Sequence, residues 1–214
     1  MGRYVRMAKL TSSFKNMVIS LLSITVFSAL TLGSVYTLTK EPIEKSKTAK
    51  LQKALKEVLP TFEHLDTAIK VPVNNVDTLN VYKAYDKNNV FVGAAVEANS
   101  KNGFGGEIKI MIGFDKEGNI INYSVLEQKE TPGLGTKMVD WFKMSNTKHD
   151  IRGKNPAKHR LLVSKDGGEI DAITAATISS RAFLEAVNKA YQAYANNPKA
   201  PKNHDVSSGA SNIN

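Results

Sequence analysis

The sequence predicts an α+β protein: one N-terminal transmembrane helix followed by a single domain with an antiparallel sheet and flanking helices. Three observations carry this expectation. Asn16 to Thr39 contains no charged residue, two pairs of short apolar segments follow with a turn inside each pair, and a strong amphipathic pattern comes near the C-terminus. Hairpins followed by helices, rather than strands alternating with helices, indicate segregated α and β elements.

The chain has 214 residues and is 42% hydrophobic. That suffices for one anchor and one domain with its own core, and leaves no room for a second sizeable domain. The uncharged run NMVISLLSITVFSALTLGSVYTLT lies between Lys15 and Lys40. At a rise of about 1.5 Å per residue it crosses a hydrocarbon layer of about 30 Å. A cleaved leader is the competing reading. It normally has a shorter apolar stretch and a small-x-small cleavage site, and neither is present. Residues 16–39 are therefore read as a retained span, with residues 1–15 as a cytoplasmic segment. Arg3, Arg6, Lys9 and Lys15 favour that side. The lysines after the span, from Lys40 to Lys56, weigh against them, so charge alone does not orient the helix. The absence of cysteine tilts the reading towards a domain outside the cytoplasm, where thiols oxidise.

Residues 40–60 read as a linker helix, with Pro42 in its first turn and Pro60 ending it. Residues 61–195 form the domain. Val81–Tyr85 and Val90–Ala95 flank the turn Asp86–Asn89; Glu107–Phe114 and Ile120–Leu126 form a second hairpin around Gly118. Gly103, Gly105 and Gly106 surround Phe104 just ahead of that hairpin. Lys137–Met144 reads as helix and Leu161–Ser164 as a short strand. Phe183, Val187 and Tyr191 recur at helical spacing in the last helix. From Asn196 onward the polar tail, 196–214, is expected to be disordered.

Composition narrows the chemistry. Without cysteine there are no disulfides, thiolate metal sites or cysteine nucleophiles. The net charge of +9 is scattered among acids and is not interleaved with aromatics, which argues against nucleic acid. His64, His149, His159 and His204 lack metal-ligand spacing, so no metal site is expected.

Two segments remain. In Asp171–Ser180, small side chains crowd where an extended stretch enters the last helix. A helix start offers unpaired amides and partial positive charge, which favour a phosphate. Thr177, Ser179 or Ser180 acting simply as a helix cap explains the same spacing, and from spacing alone is the better reading. In Glu130–Lys137, Pro132-Gly133 and Gly135 make a tight loop whose backbone can approach a ligand closely; Trp141 follows. An ordinary loop before a helix explains it too and, taken alone, is the better reading.

Taken together, GFGGEIKIMIGFD, ETPGLGTK and DAITAATISSRAFLEAV resemble the FMN-binding domain of the G subunits in Rnf-type electron transport complexes. The related C subunits of sodium-pumping NADH:quinone reductases are similar. The resemblance covers the anchor and most of the chain. It implies FMN joined through its phosphate to Thr177, with Asp171, Thr174 and Ala176 matching the attachment motif. Ala175 stands where the family usually has glycine, a difference that matters if the position requires positive φ. By the same resemblance Glu130, Thr131, Leu134, Gly135, Thr136 and Lys137 lie beside the flavin. No residue is assigned a catalytic role. The implied function is electron transfer within a complex coupling ferredoxin and NAD chemistry to ion translocation across the bacterial cytoplasmic membrane. The domain would lie on the extracytoplasmic side. Implied partners are the other membrane and peripheral subunits, and a flavin transferase for maturation. Two alternatives stay open: a flavin domain feeding an extracytoplasmic reductase, and a non-redox scaffold in which Thr177 only caps a helix.

Overall fold

The computed structural model describes residues 13–73 and 77–196. The N-terminal segment up to residue 12 and the tail from residue 197 lie outside the described residues, and with them most of the expectations for 1–15 and 196–214. The chain divides into two units, Met1–Ala49 and Lys50–Asn214.

In the first unit, helix α1 (Phe14–Val58) begins. Among the described residues it is the one helix long and apolar enough to cross a membrane, and its apolar stretch is exposed throughout. Six hydroxyls in it return to the preceding turn: Ser23, Thr31, Ser34, Thr37 and Thr39 to the carbonyl four residues back, and Thr25 to the carbonyl three back. The separate helix expected from Lys40 onward is not separate, because Pro42 lies inside α1. Proline deletes one backbone bond, at a cost of about 3 kcal/mol. The Leu-, Lys-, Glu- and Ala-rich residues beyond it are strong helix formers and carry the helix through.

In the second unit a six-stranded antiparallel sheet is built from β1 (His64–Leu65), β2 (Ile69–Val73), β3 (Asp77–Tyr85), β4 (Phe91–Ser100), β5 (Ile108–Asp115) and β6 (Ile120–Glu127). The order is β1-β3-β4-β5-β6, with β2 pairing the same β3 further along. Alternation along the strands sends side chains to two cores. Val96 and Ala98 of β4, with Ile108, Ile110, Ile112 and Phe114 of β5, face helix α3 (Thr177–Ala195). Ala95 and Met111 point the other way and meet Leu55, Val58 and Leu59 at the end of α1. Burial on both faces explains why β5 reads as an almost unbroken apolar run.

Sequence reasoning missed β1 and β2. The expected helix Lys137–Met144 is a 3-10 turn, Gly135–Lys137, leading into a short α2 (Met138–Trp141). The strand expected at Leu161–Ser164 reduces to a single bridge, Val163 to Ile170.

Because β4, β5 and β6 alternate in direction, the β4–β5 loop, the chain leaving β6 and the start of α3 converge at one end of the sheet. Three separated motifs meet there. Behind them Phe183 stacks on Phe142 at 4.4 Å and meets Tyr123 edge-on at 4.8 Å. The buried Tyr123 hydroxyl donates to the Met138 carbonyl (2.6 Å) and accepts from the Phe142 amide (3.2 Å).

Candidate functional site

Helix α3 begins at Thr177, with Ala176 in the cap position and no side-chain cap. Thr177, Ser179 and Ser180 are therefore not helix caps. The Ser180 hydroxyl receives the Ile173 amide (2.9 Å) and donates to the Ala176 carbonyl, holding the entry segment. Ser179 donates to Glu130. The Thr177 hydroxyl is bonded to nothing among the described residues, and the amides of Thr177, Ile178 and Ser179 are also without acceptors there. Three free N–H groups at the positive end of a 19-residue helix form a seat for a phosphate.

Ala175 has φ +61°, in the left-handed region that favours glycine. The chain turns sharply there, so that Ala176 points inward while Thr177 opens the helix. The condition attached to this position in the sequence is thus met: it requires positive φ, and alanine occupies it.

Glu130 is only 5% exposed and ties the motifs together. One carboxylate oxygen accepts the Gly105 amide at 3.0 Å and the other accepts the Ser179 hydroxyl at 2.5 Å. The close approach dictates glycine at two places. A Cβ on Gly105 would lie 1.9 Å from the Lys129 carbonyl oxygen, and one on Gly135 would lie 2.6 Å from Ser179 Oγ and 2.7 Å from Glu130. The loop itself is closed by the Thr131 carbonyl, which receives the amides of Leu134 and Thr136.

These contacts leave a cleft of about 340 Å³ lined by Phe104, Thr131, Leu134, Gly135 and Ala175 to Ser179. That size falls within the usual range for small-ligand sites. Its rim is apolar: Phe104 is 69% exposed, Ile178 49% and Leu134 38%. A second, more polar cleft of about 350 Å³ adjoins it, lined among others by Ser164, Lys165, Asp171, Thr174, Ala175 and Thr177. Thr177 belongs to both.

Of the residues singled out in the sequence, Thr131, Leu134, Gly135, Ala176 and Thr177 meet in the apolar cleft, and Asp171 and Thr174 line its neighbour. Asp171 is fixed by the Ser164 hydroxyl (2.7 Å), and its carbonyl receives the Trp141 indole N–H (3.1 Å). Glu130, Thr136 and Lys137 line neither cleft. Glu130 stands behind the wall, the Thr136 hydroxyl accepts the Gly133 amide within the loop (2.9 Å), and Lys137 is exposed. Phe104, Ile178 and Ser179 were not singled out for the site, although the glycines around Phe104 marked the loop that carries it. Among the described residues no group of three His, Asp or Glu side chains is placed to hold a metal.

Comparison with known proteins gives one consistent result. Residues 103–192 match the FMN-binding domain family. The G subunit of an ion-translocating oxidoreductase complex from Aliivibrio fischeri is 34% identical over 198 residues, covering 86% of this chain and 90% of the relative. The corresponding G subunit of Shewanella amazonensis is 33% identical, covering 71% and 74%. That of Vibrio cholerae is 31% identical, covering 80% and 87%.

Proposed function

Since the chain belongs to the family of ion-translocating oxidoreductase complex G subunits, we propose that it is the electron-transfer subunit of such a complex and carries FMN covalently on Thr177. The observation that carries the assignment of the residue is the unpartnered Thr177 hydroxyl at the first position of α3, beside three free amides and an apolar cleft. The donor set fits FMN. Amides and helix dipole suit a phosphodiester, and the rim of Phe104, Leu134 and Ile178 suits a planar aromatic ring.

When bound, FMN supplies reversible uptake of one or two electrons. The chain's own residues position it. Thr177 Oγ1 holds the phosphate ester. Ala175, by its turn, directs that oxygen outward. Thr131, Leu134 and Gly135 form the opposing wall, kept in register by Glu130. Asp171 and Thr174, in the adjoining cleft, border the attachment point and form the surface that a maturation enzyme reads. The Thr177 hydroxyl is hydrogen-bonded to no base among the described residues, so attachment requires a separate flavin transferase to take its proton. In that step Thr177 Oγ1 bonds to the FMN-side phosphorus of FAD, the pyrophosphate bond breaks, AMP leaves, and the transferase removes the hydroxyl proton.

We assign residues 61–195 to the FMN domain and α1 up to Thr39 to the membrane. The domain lies on the extracytoplasmic side, a reading supported by the lack of cysteine. There it relays electrons to the other subunits of a complex that couples ferredoxin–NAD electron transfer to ion movement. Covalent attachment keeps the cofactor in a compartment that does not resupply it.

The test is full-length protein co-expressed with a flavin transferase, denatured, and inspected for flavin fluorescence in the gel band, with intact mass. Fluorescence and a mass gain of FMN less water, both lost in Thr177→Ala, are expected. A dark parental band beside an active transferase refutes covalent attachment.

A further inference from the structure

We propose that Phe104 covers one face of the flavin ring in the Thr177 cleft. This rests on the FMN reading above and adds a residue and a role to it.

Phe114, Phe142 and Phe183 are fully buried, and Phe62 and Phe91 are packed against the two cores. Phe104 belongs to neither core and meets no other ring among the described residues. Leaving such a side chain in water forgoes the free energy that burying it would gain. A loose loop would explain the exposure trivially, but this loop is held on both sides of the ring. The Gly105 amide is bonded to buried Glu130, the Gly106 amide closes a turn onto the Gly103 carbonyl, and the Asn102 side chain reaches Glu185 on α3 at 2.7 Å. The backbone of Gly105 lies so close to Lys129 that a side chain does not fit.

The fold thus uses several specific contacts to hold an aromatic ring at the mouth of the cleft that contains Thr177. Ile178 and Leu134 are exposed at the same opening, so the three form a rim and not scattered surface apolars. A planar aromatic ligand tethered at Thr177 is the chemistry that this rim accommodates, by offset stacking on Phe104. The ring then shields one flavin face from water and leaves the opposite edge of the rim open for electron exchange.

The experiment uses full-length protein co-expressed with the transferase and purified in detergent, as parent, F104W, F104A and V90W. Val90 is exposed at the other end of β4, about 30 Å along the strand. Tryptophan in contact with an excited flavin quenches it by electron donation. Fluorescence of native F104W is expected to fall severalfold below V90W at equal flavin loading, and to recover on denaturation. The quenching constant of added iodide is expected to rise severalfold in F104A. F104W as bright as V90W at equal loading overturns the proposal. Where F104W does not fold, an unchanged iodide constant in F104A overturns it alone. A denatured parental band without flavin removes the FMN reading itself, and this inference with it.

Discussion

Replacing Ala175 by glycine should stabilise the protein. Ala175 sits at φ +61°, where an L-residue with a Cβ is strained by about 1–2 kcal/mol relative to glycine. Its methyl group is exposed, so removing it sacrifices little packing. Against the gain stands the extra freedom of glycine in the unfolded chain, about 0.5–1 kcal/mol. The balance is about 0.5–1 kcal/mol in favour of glycine. For a chain of this size that raises Tm by about 1–4 °C. The measurement is thermal unfolding in detergent by circular dichroism, on protein made without a flavin transferase so that bound cofactor does not contribute. Ala175→Val is the companion, since a β-branched residue at positive φ is strained further and should lower Tm. A glycine variant melting below the parent, or a valine variant matching it, would refute the account of this turn.

Three further outcomes are expected. Gly135→Ala forces a methyl into the space of Ser179 and Glu130 and should cost about 2 kcal/mol, read as a Tm lower by about 4–8 °C. Tyr123→Phe removes the buried bonds from its hydroxyl to the Met138 carbonyl and from the Phe142 amide to that hydroxyl, and should cost about 1–3 kcal/mol in denaturant unfolding. Glu185 governs part of the acid limb: burial pushes its carboxyl up, but hydrogen bonds from Asn102, Lys189 and Ser100 outweigh this and hold its pKa below the ordinary 4.5. A depressed carboxylate contributes stability that is present above the unfolded value and lost as pH falls through the folded one. Glu185→Gln should therefore flatten the decline of Tm below about pH 4.5, and an unchanged acid limb counts against it.

Much of the domain was legible because periodicity reports burial. β5 and β6 were found close to their observed bounds and α3 from its helical spacing, whereas Val81–Tyr85 and Val90–Ala95 captured only about half of β3 and β4. β1 escaped because two residues carry no period, and β2 because Pro72 lies within it. The break expected near Pro42 failed for the opposite reason: a local signal was overridden by strong helix formers around it. At the site, sequence motifs named the loops but not the division of labour within them. Glu130 was expected among the residues beside the flavin, and it stands behind the cleft wall instead. Its burial depends on Gly105 and Ser179, which are 25 and 49 residues away. Thr177 was distinguishable from a cap only once Ala176 was seen in the cap position and the Thr177 hydroxyl was seen without a partner.

The hydroxyls of the anchor have a consequence for assembly. Those of Ser23, Thr25, Thr31, Ser34, Thr37 and Thr39 are already engaged by the carbonyls of their own helix. In hydrocarbon an unengaged hydroxyl makes a segment seek a neighbour, because lipid offers it nothing. These side chains make no such demand. What this helix leaves for a neighbouring helix is Gly33, open to close approach, and the hydroxyls of Ser20 and Ser28, which make no such bond among the described residues.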